Sequence, residues 1–173
     1  MEQYAQEGRL TNQTKGKEIR NGCLVYSVGS NGDFRFEEGL HNLLPGVCEI
    51  HTFDFTDYSG RVPHGKNIYF HHWGLKPSYE ESKATMNRFK QDVPLDQPFK
   101  TFEETKKELG HEGRPIDVFK IDCEGCEWLT YKDWIGADIR QILVEVHLVP
   151  IVAQDFFSDL QKAGYVTFVS RLE

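Results

Sequence analysis

The densest group of chemically competent side chains lies between Lys120 and Trp128, in the string KIDCEGCEW. It holds three carboxylates within six residues, those of Asp122, Glu124 and Glu127. Crowded carboxylates perturb each other's pKa values, so one of them can act as a general base or a metal ligand. Asp122 is the strongest candidate, because Glu124 and Glu127 lie near the start of a predicted helix, where the helix dipole favours acids anyway.

A second set of candidates ends the apolar run ILVEVH at 142–147. Glu145 and His147 are two residues apart, so on a strand they share one side. If this strand neighbours the one before Asp122, all these side chains meet at one edge of a sheet. Asp122, Glu124 and His147 are therefore the predicted catalytic residues. The spacing is not diagnostic of a metal site, and Asp122, Glu145 and His147 are only weaker candidates for holding a divalent ion.

A glycine turn follows the first apolar run, CLVYSV at 23–28, and has the sequence Gly29-Ser30-Asn31-Gly32. Two glycines three residues apart, between a strand and a helix, allow a tight turn and close approach of the backbone to a ligand. An ordinary strand-to-helix turn is the alternative interpretation. A dinucleotide motif would have its second glycine at position 31, so Asn31 argues against a nicotinamide cofactor.

Two further candidates lie where the next predicted strands end. Asp54 follows Gly29 by 25 residues, and in nucleotide-binding sheets an acid at this point accepts hydrogen bonds from ribose hydroxyls. Trp73 comes after the third predicted strand, and its flat ring could stack on an adenine. A solvated aspartate and a buried core tryptophan are the alternatives for these two residues.

The four cysteines indicate little chemistry of their own. Cys123 and Cys126 form a C-x-x-C pair between a strand and a helix, which is typical of a redox dithiol, but the surrounding carboxylates should raise the thiol pKa. A zinc site would need two more soft ligands. Cys23 and Cys48 are predicted to be small buried apolar residues, and the composition favours a reducing compartment.

The elements that must position these residues alternate between strands and helices. Near-continuous apolar strands separated by helices predict a doubly wound, mostly parallel α/β sheet, which binds ligands beyond the carboxyl ends of its strands. Thr101 and Glu104 have the spacing of a helix capping box. The predicted strands are 23–28, 47–54, 67–72, 116–122, 142–147 and 165–170, and the predicted helices are 36–44, 79–90, 101–110, 126–135 and 153–164.

Composition limits the domain organisation and the partners. The 173 residues are enough for one domain, predicted over 21–173 after a polar N-terminal arm at 1–20. Twenty basic against 27 acidic residues give a net charge of −7, so no nucleic acid partner is expected. No apolar run approaches the roughly 20 residues of a membrane span. If the chain is complete, these features predict a cytoplasmic protein without a membrane segment.

The glycine turn, Asp54 and KIDCEGCEW together resemble the S-adenosylmethionine-dependent methyltransferases, and most of all their FkbM-like branch, over roughly residues 21–170. The strings CLVYSVGSNGDF, HTFD, KTFEETKKELGH and ILVEVH add to the resemblance. It implies a Rossmann-like methyltransferase fold, with Asp122 and Glu124 at the methyl-transfer cleft. It also implies S-adenosylmethionine as cofactor, and the predicted cofactor-binding residues are Gly29, Ser30, Asn31, Gly32, Asp54 and Trp73.

The resemblance implies O-methylation of a small-molecule or carbohydrate acceptor, with Asp122 or His147 taking the acceptor proton and a divalent ion as an optional aid. The chain departs from the family pattern in three places. One is the link at 55–66, which is short for a regular crossover helix. The other two bear on function. Ser27 stands where an acid is common, and no seventh strand follows the sixth predicted one, so the sheet would lack its last antiparallel strand. These departures favour, as the alternative, a non-catalytic binding domain that keeps the fold. A C-x-x-C redox protein is the third interpretation.

Overall fold

Five parallel strands form the central sheet in the computed structural model of the protein, which describes residues 22–78, 98–147 and 153–168. Their order is β3-β2-β1-β6-β7, so the direction of winding reverses between β1 and β6. Two short strands, β4 and β5, pair separately and in parallel. The strands are β1 (Cys23–Val28), β2 (Cys48–Asp54), β3 (Ile68–His72), β4 (Gly74–Leu75), β5 (Phe99–Lys100), β6 (Val118–Ile121) and β7 (Ile142–Val144).

Helices cover both faces of this sheet. The first, α1, packs on one face, while α2, α3 and α4 pack on the other. The capping box is present at the start of α2, where Thr101 accepts from the Glu104 amide and the Glu104 carboxylate accepts from the Thr101 amide. The helices are α1 (Arg35–Leu43), a short 3-10 helix (Ser59–Arg61), α2 (Phe102–Glu108), α3 (Cys126–Trp134) and α4 (Ala153–Lys162).

The core lies on both sides of the sheet because its central strands are buried on both faces. Within β1, Leu24 and Tyr26 face the larger core while Val25 faces the smaller one. Trp134 of α3 and Phe156 of α4 are fully buried in the larger core, and their rings meet edge to face. This two-sided burial holds the strand ends, and the side chains that follow them, in fixed positions.

The predicted doubly wound, parallel α/β fold is confirmed. Among the described residues every strand pair is parallel. The predicted strands at 116–122 and 142–147 are shorter than expected, and Ile116 makes only an isolated bridge with Ile139.

The predicted sixth strand is wrong for residues 165–168, which belong to no strand, and its last two residues lie outside the described ranges. Val166 and Phe168 are mostly exposed there, although the alternation YVTFVS is typical of a half-buried strand. The predicted arm at 1–20 and the predicted helix at 79–90 also lie outside the described ranges. In the described part of the chain, no helix has the length and apolar character needed to cross a membrane.

Candidate active site

The glycine turn joins β1 to α1 and lies against the end of β6. Gly29 has a φ of 78°, in the left-handed region that glycine adopts at little cost. A Cβ atom at this position would lie 1.7 Å from the carbonyl oxygen of Asp122, so no side chain fits there. The glycine turn and the acidic segment after β6 are therefore in direct main-chain contact.

Asp54 points into the glycine turn from the end of β2. Its Oδ2 atom accepts the amides of Ser30 and Asn31, both at 2.9 Å, and its Oδ1 atom accepts the Thr56 amide at 2.9 Å. The Asp54 side chain is buried. In this structure Asp54 therefore holds the conformation of the turn, a role that the sequence did not indicate. Its predicted contact with ribose hydroxyls stays a prediction.

The segment after β2 covers the outer side of the glycine turn. A Cβ atom at Gly32 would lie 2.7 Å from the ring of Tyr58, and the Tyr58 hydroxyl donates to Asn31 Oδ1 at 3.0 Å. The Gly32 amide donates to Ser30 Oγ at 3.3 Å. The structure thus brings together five of the six predicted cofactor-binding residues in one tightly packed loop.

Lys120 links this loop to the acidic cluster. Its ammonium group donates to the carbonyl oxygen of Gly29 at 2.7 Å and to Asp122 Oδ2 at 3.3 Å. Sequence reasoning did not single out Lys120. The signal was available, because Lys120 and Asp122 are two residues apart and so lie on one side of the chain at the end of β6.

Glu127 is the buried centre of the acidic cluster. Its side chain is fully buried, and Oε1 accepts the amide of His147 at 2.8 Å and lies 3.2 Å from His147 Nδ1. Its Oε2 atom accepts the Gly125 amide at 3.0 Å. A buried carboxylate is costly unless such donors satisfy it. Glu127 thereby fixes the position of His147. From the sequence, Glu127 was expected only to be an acid near the start of a helix.

The predicted catalytic residues meet around His147. His147 Nε2 lies 3.6 Å from Asp122 Oδ1, 3.8 Å from Glu124 Oε2 and 3.5 Å from Glu145 Oε1. Ligand atoms of Asp122, Glu124 and His147 all lie within 4.8 Å of one another, so these three could hold a divalent ion. The expectation that strand ends gather these side chains is correct. Their catalytic and metal-binding roles stay predictions.

The carboxylates around His147 raise the pKa of its imidazole ring. Burial alone would lower the pKa of His147, but the carboxylates of Glu127, Glu124 and Asp122 outweigh that effect, and the pKa is raised above its ordinary value. With Nδ1 donating to Glu127, the lone pair of neutral His147 is on Nε2, the atom that faces the other carboxylates. His147 can therefore take up a proton at Nε2.

Trp73 contacts other protein side chains rather than the glycine turn in the described contacts. Its indole nitrogen donates to Thr105 Oγ1 at 3.2 Å, and Lys100 Nζ lies 4.1 Å from the ring centroid. The ring also packs against Phe53 and His71. These contacts are those of a partly buried core residue. Stacking of Trp73 on an adenine stays a prediction.

All four cysteines are paired, which corrects the expectation that Cys23 and Cys48 are small buried apolar residues. Cys23 bonds to Cys48 across β1 and β2, and Cys123 bonds to Cys126 at the start of α3. The parallel register places Cys23 directly opposite Cys48, a pairing that needs tertiary structure. Disulfides persist in oxidising compartments, so this pairing argues against the reducing compartment expected from composition.

Three buried polar atoms in β1 and α1 have no hydrogen-bond partner among the described residues: Ser27 Oγ, Glu37 Oε2 and His41 Nδ1. The other Glu37 oxygen accepts from Thr52 Oγ1 at 3.4 Å, and Thr52 is the register partner of Ser27. An acid near this point of β1 is common in the resembled family, where this chain has Ser27. Glu37 is thus a buried carboxylate that sequence reasoning missed, because only the packing of α1 brings it to the sheet.

Comparison with protein families agrees with this geometry. The family model of a methyltransferase domain matches residues 9–173. The chain belongs to this methyltransferase family. Neither a curated protein nor a solved structure matches the methyltransferase significantly. The resemblance to methyltransferases, drawn from the glycine turn, Asp54 and KIDCEGCEW, is therefore confirmed, whereas the use of S-adenosylmethionine and the FkbM-like branch stay predictions.

Gly29→Ala should lower the free energy of unfolding of this methyltransferase by at least about 2 kcal/mol, because alanine has neither the space nor the backbone freedom at φ 78°. Gly39→Ala is the matched control: no atom lies within 4 Å of its Cβ position in α1, and alanine favours a helix by up to about 1 kcal/mol. Urea denaturation followed by circular dichroism measures both. Equal stability of the two variants would contradict the close approach to Asp122.

Glu124→Gln should lower the pKa of His147, because it removes one of the negative charges that raise it. An NMR titration of the His147 ring in the presence of a chelator measures the shift, and Glu112→Gln, an exposed change elsewhere, should leave it unaltered. Because the pKa of His147 in the folded state lies above its ordinary value of about 6.5, the protonated ring stabilises the fold below that pH, and this contribution is lost as pH rises through the folded-state pKa. An unchanged titration in Glu124→Gln would show that the carboxylate does not face His147.

Proposed function

We propose that this methyltransferase uses S-adenosylmethionine and methylates a hydroxyl oxygen of a small molecule or sugar. One observation carries the proposal: Lys120 donates both to the carbonyl oxygen of Gly29 and to the carboxylate of Asp122, so the glycine turn and the acidic cluster form one site. This site lies between the ends of β1 and β6, where the winding of the sheet reverses. Open α/β sheets bind their ligands at such a point.

The residues around the glycine turn suit a nucleoside cofactor. Among the described contacts, Asp54 Oδ1 accepts only the Thr56 amide, which leaves a lone pair for a ribose hydroxyl. The left-handed conformations of Gly29 and Gly32 close the turn tightly at the carboxyl end of β1, the end of a parallel strand at which such sheets bind ligands. We assign cofactor binding to Gly29, Ser30, Asn31, Gly32, Asp54 and Trp73.

His147 is proposed as the general base. When bound, S-adenosylmethionine supplies an electrophilic methyl group on a sulfonium sulfur. His147 Nε2 takes the proton from the acceptor hydroxyl, and the carboxylates of Asp122 and Glu124 stabilise the imidazolium that forms. Glu127 is a positioning residue, because its described polar contacts are with His147 Nδ1, the amides of Gly125 and His147, and the Cys123 sulfur. Asp122 is the second group that can accept this proton.

Two alternative functions predict different experimental results. A non-catalytic binding domain that keeps the fold but has lost the cofactor would neither bind S-adenosylhomocysteine nor transfer a methyl group. A redox protein would reduce and re-form the Cys123–Cys126 disulfide. The presence of this disulfide is the observation that favours the redox alternative. Against it, Glu127 Oε2 lies 3.4 Å from Cys123 Sγ, and a carboxylate so close disfavours the thiolate that redox exchange needs.

Calorimetric titration with S-adenosylhomocysteine tests the cofactor. We expect saturable binding of one equivalent to the wild type and at least about tenfold weaker binding to Asp54→Ala, which loses the acceptor of two turn amides. Asp57→Ala is the matched control, because Asp57 is exposed and its carboxylate accepts only from nearby Ser59 among the described contacts. Absence of saturable heat, or equal affinity in Asp54→Ala, would overturn the assignment.

A methyl-transfer screen with a labelled donor and pooled sugars and small hydroxyl compounds tests the reaction. His147→Gln should lower turnover about 100-fold or more without changing the affinity for S-adenosylhomocysteine, because it removes the base and leaves the glycine turn intact. His72→Gln is the control, since His72 is exposed and bonds the carbonyl oxygen of Phe55. Running the screen with and without a chelator tests the divalent ion. Full turnover in His147→Gln would exclude this residue as the base.

A further inference from the structure

A second group of histidine and acidic side chains lies on the face of the sheet that carries the larger core. Glu49 and His51 come from β2, and His111 comes from the segment that follows α2. His51 precedes Asp54 by three residues, which on a strand is about 10 Å. This group is therefore separate from the site at the carboxyl ends of the strands, and the proposed methyl transfer does not use it.

Three ligand atoms of this group converge on one point. His51 Nε2 lies 3.1 Å from Glu49 Oε1, and His111 Nε2 lies 3.8 Å from the same oxygen. All three atoms are within 4.8 Å of one another. The 3.8 Å separation is too long for a hydrogen bond, but it is close to the roughly 3.3 Å between ligands bound tetrahedrally to zinc.

The remaining ring nitrogens are already held by neighbouring side chains. His51 Nδ1 lies 2.8 Å from His71 Nε2, and His111 Nδ1 lies 2.8 Å from the hydroxyl of Tyr26. The 3.1 Å contact is a hydrogen bond in which His51 Nε2 donates to Glu49 Oε1, since a carboxylate only accepts. An ion at this point would take the place of that proton; Nδ1 would then be the donor in each ring, and both Nε2 lone pairs would be available to the ion. Such outer partners are typical of metal-binding histidines, because they fix the tautomer and the orientation of the ring.

The carboxylate of Glu49 is held in the same way. Arg114 donates to Glu49 Oε2 at 2.7 Å, which leaves Oε1 directed at the two histidines. The side chains of His51 and His111 are each 6 % exposed and that of Glu49 is 28 % exposed, so a bound ion would be shielded on most sides and reachable on one. Each of the three ligands is thus oriented by a partner behind it.

We propose that Glu49, His51 and His111 bind one divalent transition-metal ion, with zinc as the best match. Two imidazole nitrogens and one carboxylate oxygen form a ligand set that zinc accepts, and its fourth position would be open to water. All four cysteines are in disulfides, so none is left as a thiolate ligand for the ion. A metal here would join β2 to the segment after α2, and so would stabilise the folded chain.

Cobalt(II), a spectroscopic substitute for zinc, is the probe. Wild-type protein with its disulfides intact is freed of metal by a chelator, exchanged into buffer, and titrated with Co²⁺ while visible absorption is recorded. We expect one equivalent to produce the intense bands of a four-coordinate site and one equivalent of Zn²⁺ to abolish them. Zn²⁺ should also raise the unfolding temperature. A wild-type protein without saturable bands would overturn the proposal.

Variants locate the ion and test the outer partners. Glu49→Gln and His111→Gln should each abolish the bands. Glu49→Gln is the variant less expected to disturb folding, because Glu49 is partly exposed. Circular dichroism verifies that both variants are folded. Tyr26→Phe removes the hydroxyl beside His111 and should weaken binding about 10- to 100-fold, whereas the control Tyr58→Phe should not.

His147→Gln separates this site from the one at the strand ends. We expect it to keep the Co²⁺ bands, since His147 belongs to the other cluster. Bands lost in His147→Gln and kept in His111→Gln would place the ion at the strand ends and overturn the proposal. No cofactor or acceptor is present in these titrations, so their outcome is independent of whether the protein binds S-adenosylhomocysteine.

Discussion

At the carboxyl edge of the sheet, the main chains that leave β1 and β6 come so close that only glycine fits between them. Val28 and Ile121 pair in parallel register, and the Asp122 amide donates to the Val28 carbonyl at 3.0 Å. One residue further, the Cβ position of Gly29 lies only 1.7 Å from the carbonyl oxygen of Asp122. This contact forces the left-handed turn, and it lets Lys120 reach the carbonyl oxygen of Gly29. The glycine turn and the acidic cluster depend on the same approach.

The acidic side chains of this region are tolerated because specific donors surround them. Glu127 is fully buried, and main-chain amides of Gly125 and His147 satisfy its oxygens. His147 lies among the other carboxylates, which raise its pKa despite burial. Lys120 supplies a second positive charge beside Asp122. A histidine held between one buried carboxylate and several more exposed ones is suited to proton transfer, and this arrangement links the electrostatics of the fold to the chemistry of a methyltransferase.

The predictions that proved correct rest on short-range patterns. The β1 bounds at 23–28 and the capping box at Thr101 and Glu104 follow from neighbours in the chain, since strand propensity and helix caps are local. The sixth strand, predicted at 165–170, failed for its described residues. An alternating pattern forms a strand only when a neighbouring strand offers hydrogen bonds, and residues 165–168 pair with none.

By itself the sequence determined the class of the protein: alternating apolar strands and helices required a parallel sheet, and the strings after the strands indicated a methyltransferase. It also predicted that the side chains of Asp122, Glu124 and His147 lie close together, because residues that follow parallel strands gather at one edge of the sheet. Only the tertiary structure decided which partner each side chain has. The disulfide between Cys23 and Cys48 and the link from Lys120 to the glycine turn join segments far apart in the chain. Strand order and register determine such contacts, and no local pattern encodes them.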